Sequence, residues 1–240
     1  MFPGLVVFLH AMLNLTVSIS VGPVALTQGT LGGSESDATI PTGPRRLFPP
    51  ATSESDANGE LTFGGTDSSK YTGSINYVPI TTTSPASEYW GIDQSISYGS
   101  WPILKSSAGI VDTGTTLILI STGAYIEYMI ATGGTVDEST GLLRISSSQY
   151  SSLKTLNFNI GGTTYSLTPN AQIWPRSLNS AIGGSADDIY LVVSDIGGES
   201  GEGLDFINGY AFLERFYSVF DTTNSQVGFA TTPYTSATSN

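Results

Sequence analysis

The sequence predicts a mainly β protein, and three observations support that fold class. Glycine is abundant, with 28 of 240 residues, whereas lysine and glutamate, which are common on the surfaces of helices, are scarce. Serine, threonine and tyrosine are frequent, and the last two favour strands. From residue 60 onward, short apolar runs alternate with turn residues, a pattern typical of antiparallel strands.

The first predicted strands lie between residues 60 and 98. Each is a short run with apolar residues near period two, bounded by glycine, serine or aspartate. The runs are ELTFGG (60–65), YTGSINYVPI (71–80) with alternation at Ile75, Tyr77 and Pro79, and YWGIDQSISY (89–98) with Trp90, Ile92 and Ile96.

The second half of the chain predicts two hairpins and two short helices. LNFNIGGTTYSLT (156–168) reads as two strands joined at Gly161-Gly162, because a primed turn favours glycine. Further strands are expected in DIYLVVS (188–194) and in FYSVFDTTNSQVGFA (216–230), the latter turning near Asn224. One helix is expected from about 122 to 131, ended by Gly133, and another near GYAFLERF (209–216).

The stretch AGIVDTGTTLILI (108–120) places an acidic residue between two apolar runs. A carboxylate there is costly unless its surroundings use it. Gly114 allows a close backbone approach, and the hydroxyls of Thr113 and Thr115 can bind neighbouring backbone or the carboxylate of Asp112. Taken alone, the tripeptide Asp-Thr-Gly is equally compatible with a simple Asx turn.

The first 50 residues differ from the remainder. Residues 1–34 carry no Asp, Glu, Lys or Arg, and the first 20 resemble either a signal peptide that lacks a basic start or a leader joined to a downstream domain. Residues 29–59 are rich in Gly, Ser, Thr and Pro and indicate a loop or linker. We therefore divide the chain into an irregular leader and linker (1–50) and a β domain (51–240).

Composition excludes several classes of function. The formal charge of −12 and the absence of basic runs disfavour binding to nucleic acid or to anionic membranes. The chain has no cysteine, which excludes thiol catalysis and cysteine-ligated metal. Its one histidine, His10, precedes the β domain, so a Ser-His-Asp triad or a histidine-based zinc site lacks its central residue.

Four motifs in order resemble the C-terminal lobe of the pepsin-like aspartic endopeptidases, particularly the secreted fungal, polyporopepsin-type enzymes. The likeness covers about residues 59–230, with a remnant of the N-terminal lobe beginning near Val21 in VGPVALTQGTL (21–31). The motifs are GELTFGGTDSSKYTGSINYVPI (59–80), YWGIDQSISY (89–98), AGIVDTGTTLILI (108–120) and FINGYAFLERFYSVFDTTNSQVGFA (206–230).

The resemblance implies a role for each residue of the Asp-Thr-Gly-Thr-Thr run. Asp112 would be a catalytic aspartate, and Thr113 would reach across to a partner loop. Thr115 would hydrogen-bond the outer oxygen of the Asp112 carboxylate, and Gly114 and Thr116 would meet substrate backbone. The implied activity is hydrolysis of proteins or peptides in an acidic, extracellular setting. Water is the nucleophile, so no cofactor or catalytic metal is expected.

One position departs from the family pattern. The family usually has two apolar residues before the glycine that corresponds to Gly209, and here the second is Asn208. We therefore expect the packing behind the Asp112 loop to differ locally from that of the family.

The implied reaction needs two carboxylates, and the sequence contains one Asp-Thr-Gly and no Asp-Ser-Gly. Asp67-Ser68-Ser69 and Asp221-Thr222-Thr223 lack the glycine and indicate turns. Three hypotheses follow. The chain is an endopeptidase without most of its N-terminal lobe and inactive alone, or two copies pair so that each supplies Asp112, or the fold serves as a non-catalytic binding or inhibitor module.

Overall fold

The computed structural model describes residues 45–47, 60–62 and 64–238, and most of its regular structure is β. The strands are β1 (Arg45–Leu47), β2 (Glu60–Thr62), β3 (Thr72–Pro79), β4 (Gly91–Tyr98), β5 (Trp101–Val111), β6 (Ile118–Ile120), β7 (Thr135–Val136), β8 (Leu143–Ile145), β9 (Leu156–Ile160), β10 (Thr163–Leu167), β11 (Ile189–Tyr190), β12 (Val193–Asp195), β13 (Phe206–Asn208), β14 (Phe216–Asp221) and β15 (Gln226–Thr231).

Three α-helices and three 3₁₀ helices lie between the described strands. Helix α1 ends at Gly133, which has the left-handed backbone (φ 70°) that favours glycine after a helix. Helix α2 begins with a capping box between Ser146 and Gln149. The α-helices are α1 (Thr122–Thr132), α2 (Ser147–Ser151) and α3 (Tyr210–Leu213), and the 3₁₀ helices are Ala86–Glu88, Asn170–Gln172 and Arg176–Ile182.

The largest sheet in the described part of the chain has seven strands in the order β10-β9-β4-β5-β13-β6-β12. One face buries alternating apolar residues against the main core, for example Ile92 and Ile96 of β4 and Phe158 of β9. The opposite face carries a smaller cluster that includes Ala108, Ile110 and Ile207. Residues 108–111 of β5 and all of β13 are buried, so both strands are flanked by packed side chains on both faces where they approach the loop that follows β5.

A five-stranded sheet, in the order β2-β1-β14-β15-β3, packs against the same core. The hairpin of β14 and β15 lies at its centre, and Phe216, Phe220 and Phe229 contribute to the shared core. Tyr165 of the other sheet donates a hydrogen bond to the carbonyl of Phe229 at 3.1 Å, so the two layers are joined by a polar contact as well. A small sheet, β11-β8-β7, completes the described strands.

The structure confirms the mainly β fold, and both hairpins form as the turn residues predict. Gly161 and Gly162 have φ of 57° and 79°, as a type I′ turn requires. Helices α1 and α3 occupy the two stretches predicted to be helical. The predicted alternation in β3 is different, because Val78 is the buried residue and Tyr77 is 38% exposed.

Three features of the fold differ from the sequence expectations. Arg45–Leu47, inside the segment expected to be a loop, forms a strand that pairs with β14 and β2. Two pairs in the mainly antiparallel arrangement are parallel, β12 with β6 and β13 with β5. DIYLVVS contributes to two strands in different sheets, β11 and β12. Apart from β1 with β2, each of these pairings joins residues far apart in sequence, so local patterns carry no signal for it.

Several sequence predictions lie outside the described residues. These are the nature of residues 1–20, the lobe remnant from about residue 21, and the domain boundary near residue 50, all of which stay predictions. Among the helices that the structure describes, none combines the length and apolar character needed to cross a lipid bilayer.

Asp221 at the tip of the β14–β15 hairpin predicts a pH-dependent contribution to stability. Burial alone would raise the pKa of its carboxyl, but hydrogen bonds from Asn224 and Gln226 outweigh burial and lower the pKa. A depressed carboxyl pKa stabilises the folded chain above the unfolded value of about 4, and that stabilisation is lost as the pH falls through the folded value. Asp221→Asn should therefore cost on the order of 1–3 kcal/mol at pH 6 and much less at pH 2.

Urea unfolding of the 240-residue chain and of Asp221→Asn at both pH values measures this difference. Asp187→Asn removes an exposed aspartate outside the hairpin and serves as the control, with no expected change in the midpoint. An Asp221→Asn deficit that is equal at pH 6 and pH 2 would contradict the assignment of the stabilisation to the ionised carboxylate.

Candidate active site

The Asp112 loop connects two strands that are not neighbours in the sheet. Strand β5 ends at Val111 and β6 begins at Ile118, but β13 lies between them, parallel to β5 and antiparallel to β6. The loop 112–117 therefore passes over the end of β13. The N–H of Asp112 donates to the carbonyl of Asn208, the last residue of β13, at 3.2 Å.

The carboxylate of Asp112 is held by its own loop. The N–H of Gly114 donates to Oδ1 at 2.9 Å, and the hydroxyl of Thr115 donates to Oδ2 at 2.7 Å. The side chain is partly exposed. One donor on each oxygen fixes the plane of the carboxylate and leaves acceptor capacity on both oxygens, since an ionised carboxylate accepts about four hydrogen bonds.

The start of helix α3 anchors the far side of the loop. The N–H groups of Tyr210 and Ala211 donate to the carbonyls of Thr115 and Thr116 at 2.6 and 3.0 Å. These are N–H groups of the first helical turn, which have no partner within the helix. Because Gly209 lies directly between β13 and α3, the same short segment supports both ends of the loop.

The structure places the other predicted site residues in the same loop. Gly114 has little room, since a Cβ there would lie 3.3 Å from Asp112 Oδ1. Thr113 is partly exposed and Thr116 is exposed. The loop thus brings Asp112, Gly114 and Thr115 together by hydrogen bonds, whereas the contacts expected for Thr113 with a partner loop and for Thr116 with substrate stay predictions.

The two aspartates set aside in the sequence both sit in turns. Ser69 donates its N–H and its hydroxyl to Asp67 Oδ1 at 2.9 and 2.7 Å, an Asx turn. Asp221 accepts from Asn224 and Gln226 in the terminal hairpin. Each of these two carboxylates is therefore hydrogen-bonded within its own turn.

Sequence reasoning missed one residue next to the site, Gln94 of β4. Its side chain is 1% exposed and exchanges two hydrogen bonds with the buried side chain of Asn208. Asn208 departs from the family pattern, and the structure shows how it is accommodated, because a second amide lies opposite it. The signal in the sequence is that Gln94, a polar residue, takes an inward-facing position of the strand between Ile92 and Ile96.

Among the described ranges 45–47, 60–62 and 64–238, no group of three or more acidic or histidine side chains could hold a metal ion.

A family profile, two sequence relatives and one solved structure resemble this chain. The sequence profile of the family described as Eukaryotic aspartyl protease matches residues 47–232. Polyporopepsin of Irpex lacteus is 61% identical over 236 residues, and gastricsin of Rattus norvegicus is 33% identical over 181 residues. The crystal structure of the aspartic proteinase from Irpex lacteus superposes with a TM-score of 0.82 at 66% identity.

The chain matches only part of each of these relatives. The alignments cover 92% of the chain and 69% of polyporopepsin, and 72% of the chain and 42% of the rat gastricsin. The structural match covers 84% of the chain and 60% of the Irpex lacteus proteinase.

Gly209 predicts a steric test of the loop. A Cβ at this position would lie 2.2 Å from the carbonyl oxygen of Leu117 and 2.4 Å from that of Thr115, and both are backbone atoms that cannot rotate away. Gly209→Ala should therefore displace the loop and destabilise the chain by roughly 1–3 kcal/mol or more. Urea unfolding measures the stability, and the amide NMR shifts of residues 112–116 report the displacement.

The matched control is Gly123→Ala in the first turn of α1. A Cβ there meets nothing within 4 Å, and alanine is the better helix former, so stability should be unchanged or raised by up to about 1 kcal/mol. If Gly209→Ala proves as stable as Gly123→Ala and leaves the loop amide shifts unchanged, the close packing described here is wrong.

Proposed function

Because this chain belongs to the family of eukaryotic, pepsin-like aspartyl proteases, we propose that it supplies one half of the catalytic site of an aspartic-type endopeptidase. The observation that carries the proposal is the Asp112 carboxylate, held by Gly114 and Thr115 at the end of β5 with acceptor capacity left on both oxygens. A carboxylate so oriented is suited to bind and activate a water molecule.

The reaction requires a second carboxylate that shares a proton with the first. One carboxylate accepts a proton from the attacking water while the other donates a proton to the oxygen of the scissile carbonyl. Two carboxylates in close contact cannot both ionise readily, so their titrations separate and belong to the pair. Asp112 alone cannot act as base and acid in the same step.

We assign the second carboxylate to a lobe that is not part of these 240 residues and that carries its own Asp-Thr-Gly. The single Asp-Thr-Gly of the sequence supports this assignment, as does the use of Asp67 and Asp221 in turns. In the assembled site, Thr113 reaches to the partner loop, and Gly114 and Thr116 contact the backbone of a protein or peptide substrate. The 240-residue chain is inactive by itself.

The proposed setting is acidic and extracellular. A chain with 20 acidic and 8 basic residues loses negative charge as the pH falls and acquires only a modest positive charge, which limits self-repulsion in acid. This property suits a protease whose paired carboxylates must hold one proton between them.

The proposal predicts activity only after complementation. The purified chain should not cleave an unfolded protein substrate at pH 3. Addition of the N-terminal lobe of the Irpex lacteus proteinase as a separate polypeptide should produce pepstatin-sensitive cleavage. Asp112→Asn should reduce that cleavage by at least about a thousandfold, because the pair then lacks one of its members. Peptide release measured over time gives both rates.

The alternatives give different results in the same experiment. Cleavage by the chain alone, increasing with the square of its concentration and lost in Asp112→Asn, would indicate a homodimer in which each copy supplies Asp112. Tight retention of a peptide that is unaffected by Asp112→Asn, without cleavage in any mixture, would indicate a binding module instead. The exposed substitution Asp187→Asn is the control and should leave complemented cleavage unchanged.

A further inference from the structure

A pair of buried amides lies directly behind the Asp112 loop. Gln94 and Asn208 are 1% and 0% exposed, and 114 positions separate them in the sequence. Gln94 Nε2 donates to Asn208 Oδ1 at 3.0 Å, and Asn208 Nδ2 donates to Gln94 Oε1 at 2.8 Å. Two reciprocal bonds of ordinary length make this a closed ring in which each amide satisfies the other.

The pair crosses β5, the strand that leads into Asp112. Gln94 belongs to β4 and Asn208 to β13, and β5 lies between them in the sheet. Neighbouring strands are about 4.8 Å apart, so the two side chains together span roughly 10 Å over β5.

The backbone of Asn208 completes the connection to the site. Asn208 pairs with Val111, the last residue of β5, and its carbonyl accepts the N–H of Asp112 at 3.2 Å. The side chain of Asn208 is thus fixed by Gln94 while its carbonyl fixes the start of the loop. Gly209 and α3, which support the remainder of the loop, follow immediately in the chain.

We propose that Gln94 and Asn208 are positioning residues that act together to fix Asp112 by clamping β4 and β13 across β5. The role of the pair in catalysis rests on the proposed function, whereas its effect on the position of Asp112 concerns this chain alone. Neither residue touches the carboxylate, so each acts through the carbonyl of Asn208 and the register of β13 against β5.

The two residues depend on each other for a physical reason. A buried amide that loses its partner keeps the full cost of desolvation, whereas two apolar side chains of similar shape can replace the pair at little cost. Two apolar residues before the glycine, as in the family pattern, would then call for an apolar partner at the position of Gln94. Mixed pairs, with one amide and one apolar residue, are the disfavoured combinations.

The test uses the full 240-residue chain and three variants with apolar side chains of similar shape. Asn208→Leu and Gln94→Met each leave one buried amide without a partner, and the double variant replaces both. Native-state hydrogen exchange of the Asp112 amide reports the local position, and urea unfolding reports global stability. Each single variant should speed Asp112 exchange at least tenfold beyond the increase that its lower global stability explains.

The double variant should return Asp112 exchange to within about threefold of the natural chain. Gln172→Leu is the matched control, because Gln172 is also a fully buried amide but bonds to Tyr128 and to backbone carbonyls elsewhere. It should lower global stability and speed Asp112 exchange only to the extent that global unfolding accounts for. If Asn208→Leu does not fold, Gln94→Met provides the same comparison.

Two results would overturn the proposal. In the first, Asp112 exchange in the single variants changes only as much as their global stability explains. In the second, the Asp112 amide of the double variant exchanges as fast as that of the single variants. In the complemented protease, the single variants should lower kcat at least tenfold with KM changed less than threefold. Failure of the natural chain to gain activity on complementation would count against the proposed function, and the exchange measurement would still decide the role of the pair.

Discussion

The placement of β13 between β5 and β6 is the constraint on which the site depends. Because the chain leaves the sheet at Asp112 and re-enters it on the other side of β13, the loop must cross the end of that strand. Its hydrogen-bond partners are therefore the carbonyl of Asn208 and the N–H groups at the start of α3. The loop cannot acquire its final geometry until a segment from much later in the chain has docked beneath it.

The same constraint explains which parts of the molecule could be predicted from the sequence. The hairpin at Gly161-Gly162, helix α1 with its terminal Gly133, and the turns at Asp67 and Asp221 are encoded by neighbouring residues, and all are present. The Asp-Thr-Gly run was recognisable for the same reason. The parallel pairing of β5 with β13 and the strand at Arg45–Leu47 depend on distant partners, and no local pattern revealed them.

Asn208 illustrates how a departure from a pattern becomes interpretable once its surroundings are known. In the sequence it was a polar residue at a position expected to be apolar, and nothing nearby compensated for it. In the structure Gln94 compensates for it, because Gln94 offers both a donor and an acceptor within the same buried layer. A buried polar residue therefore predicts a partner even when it does not identify one, since an unsatisfied amide is rarely retained in a core.

The segment from β13 through α3 to β14 connects the Asp112 loop to both large sheets. Helix α3 is only four residues long, and it joins a strand of the seven-stranded sheet to a strand of the five-stranded sheet. The carbonyls of Thr115 and Thr116 accept hydrogen bonds from N–H groups of this helix. The Asp112 loop is therefore bonded directly to the segment that connects the two sheets. The position of the Asp112 carboxylate therefore depends on how the two sheets pack against each other, and not on its own strand alone.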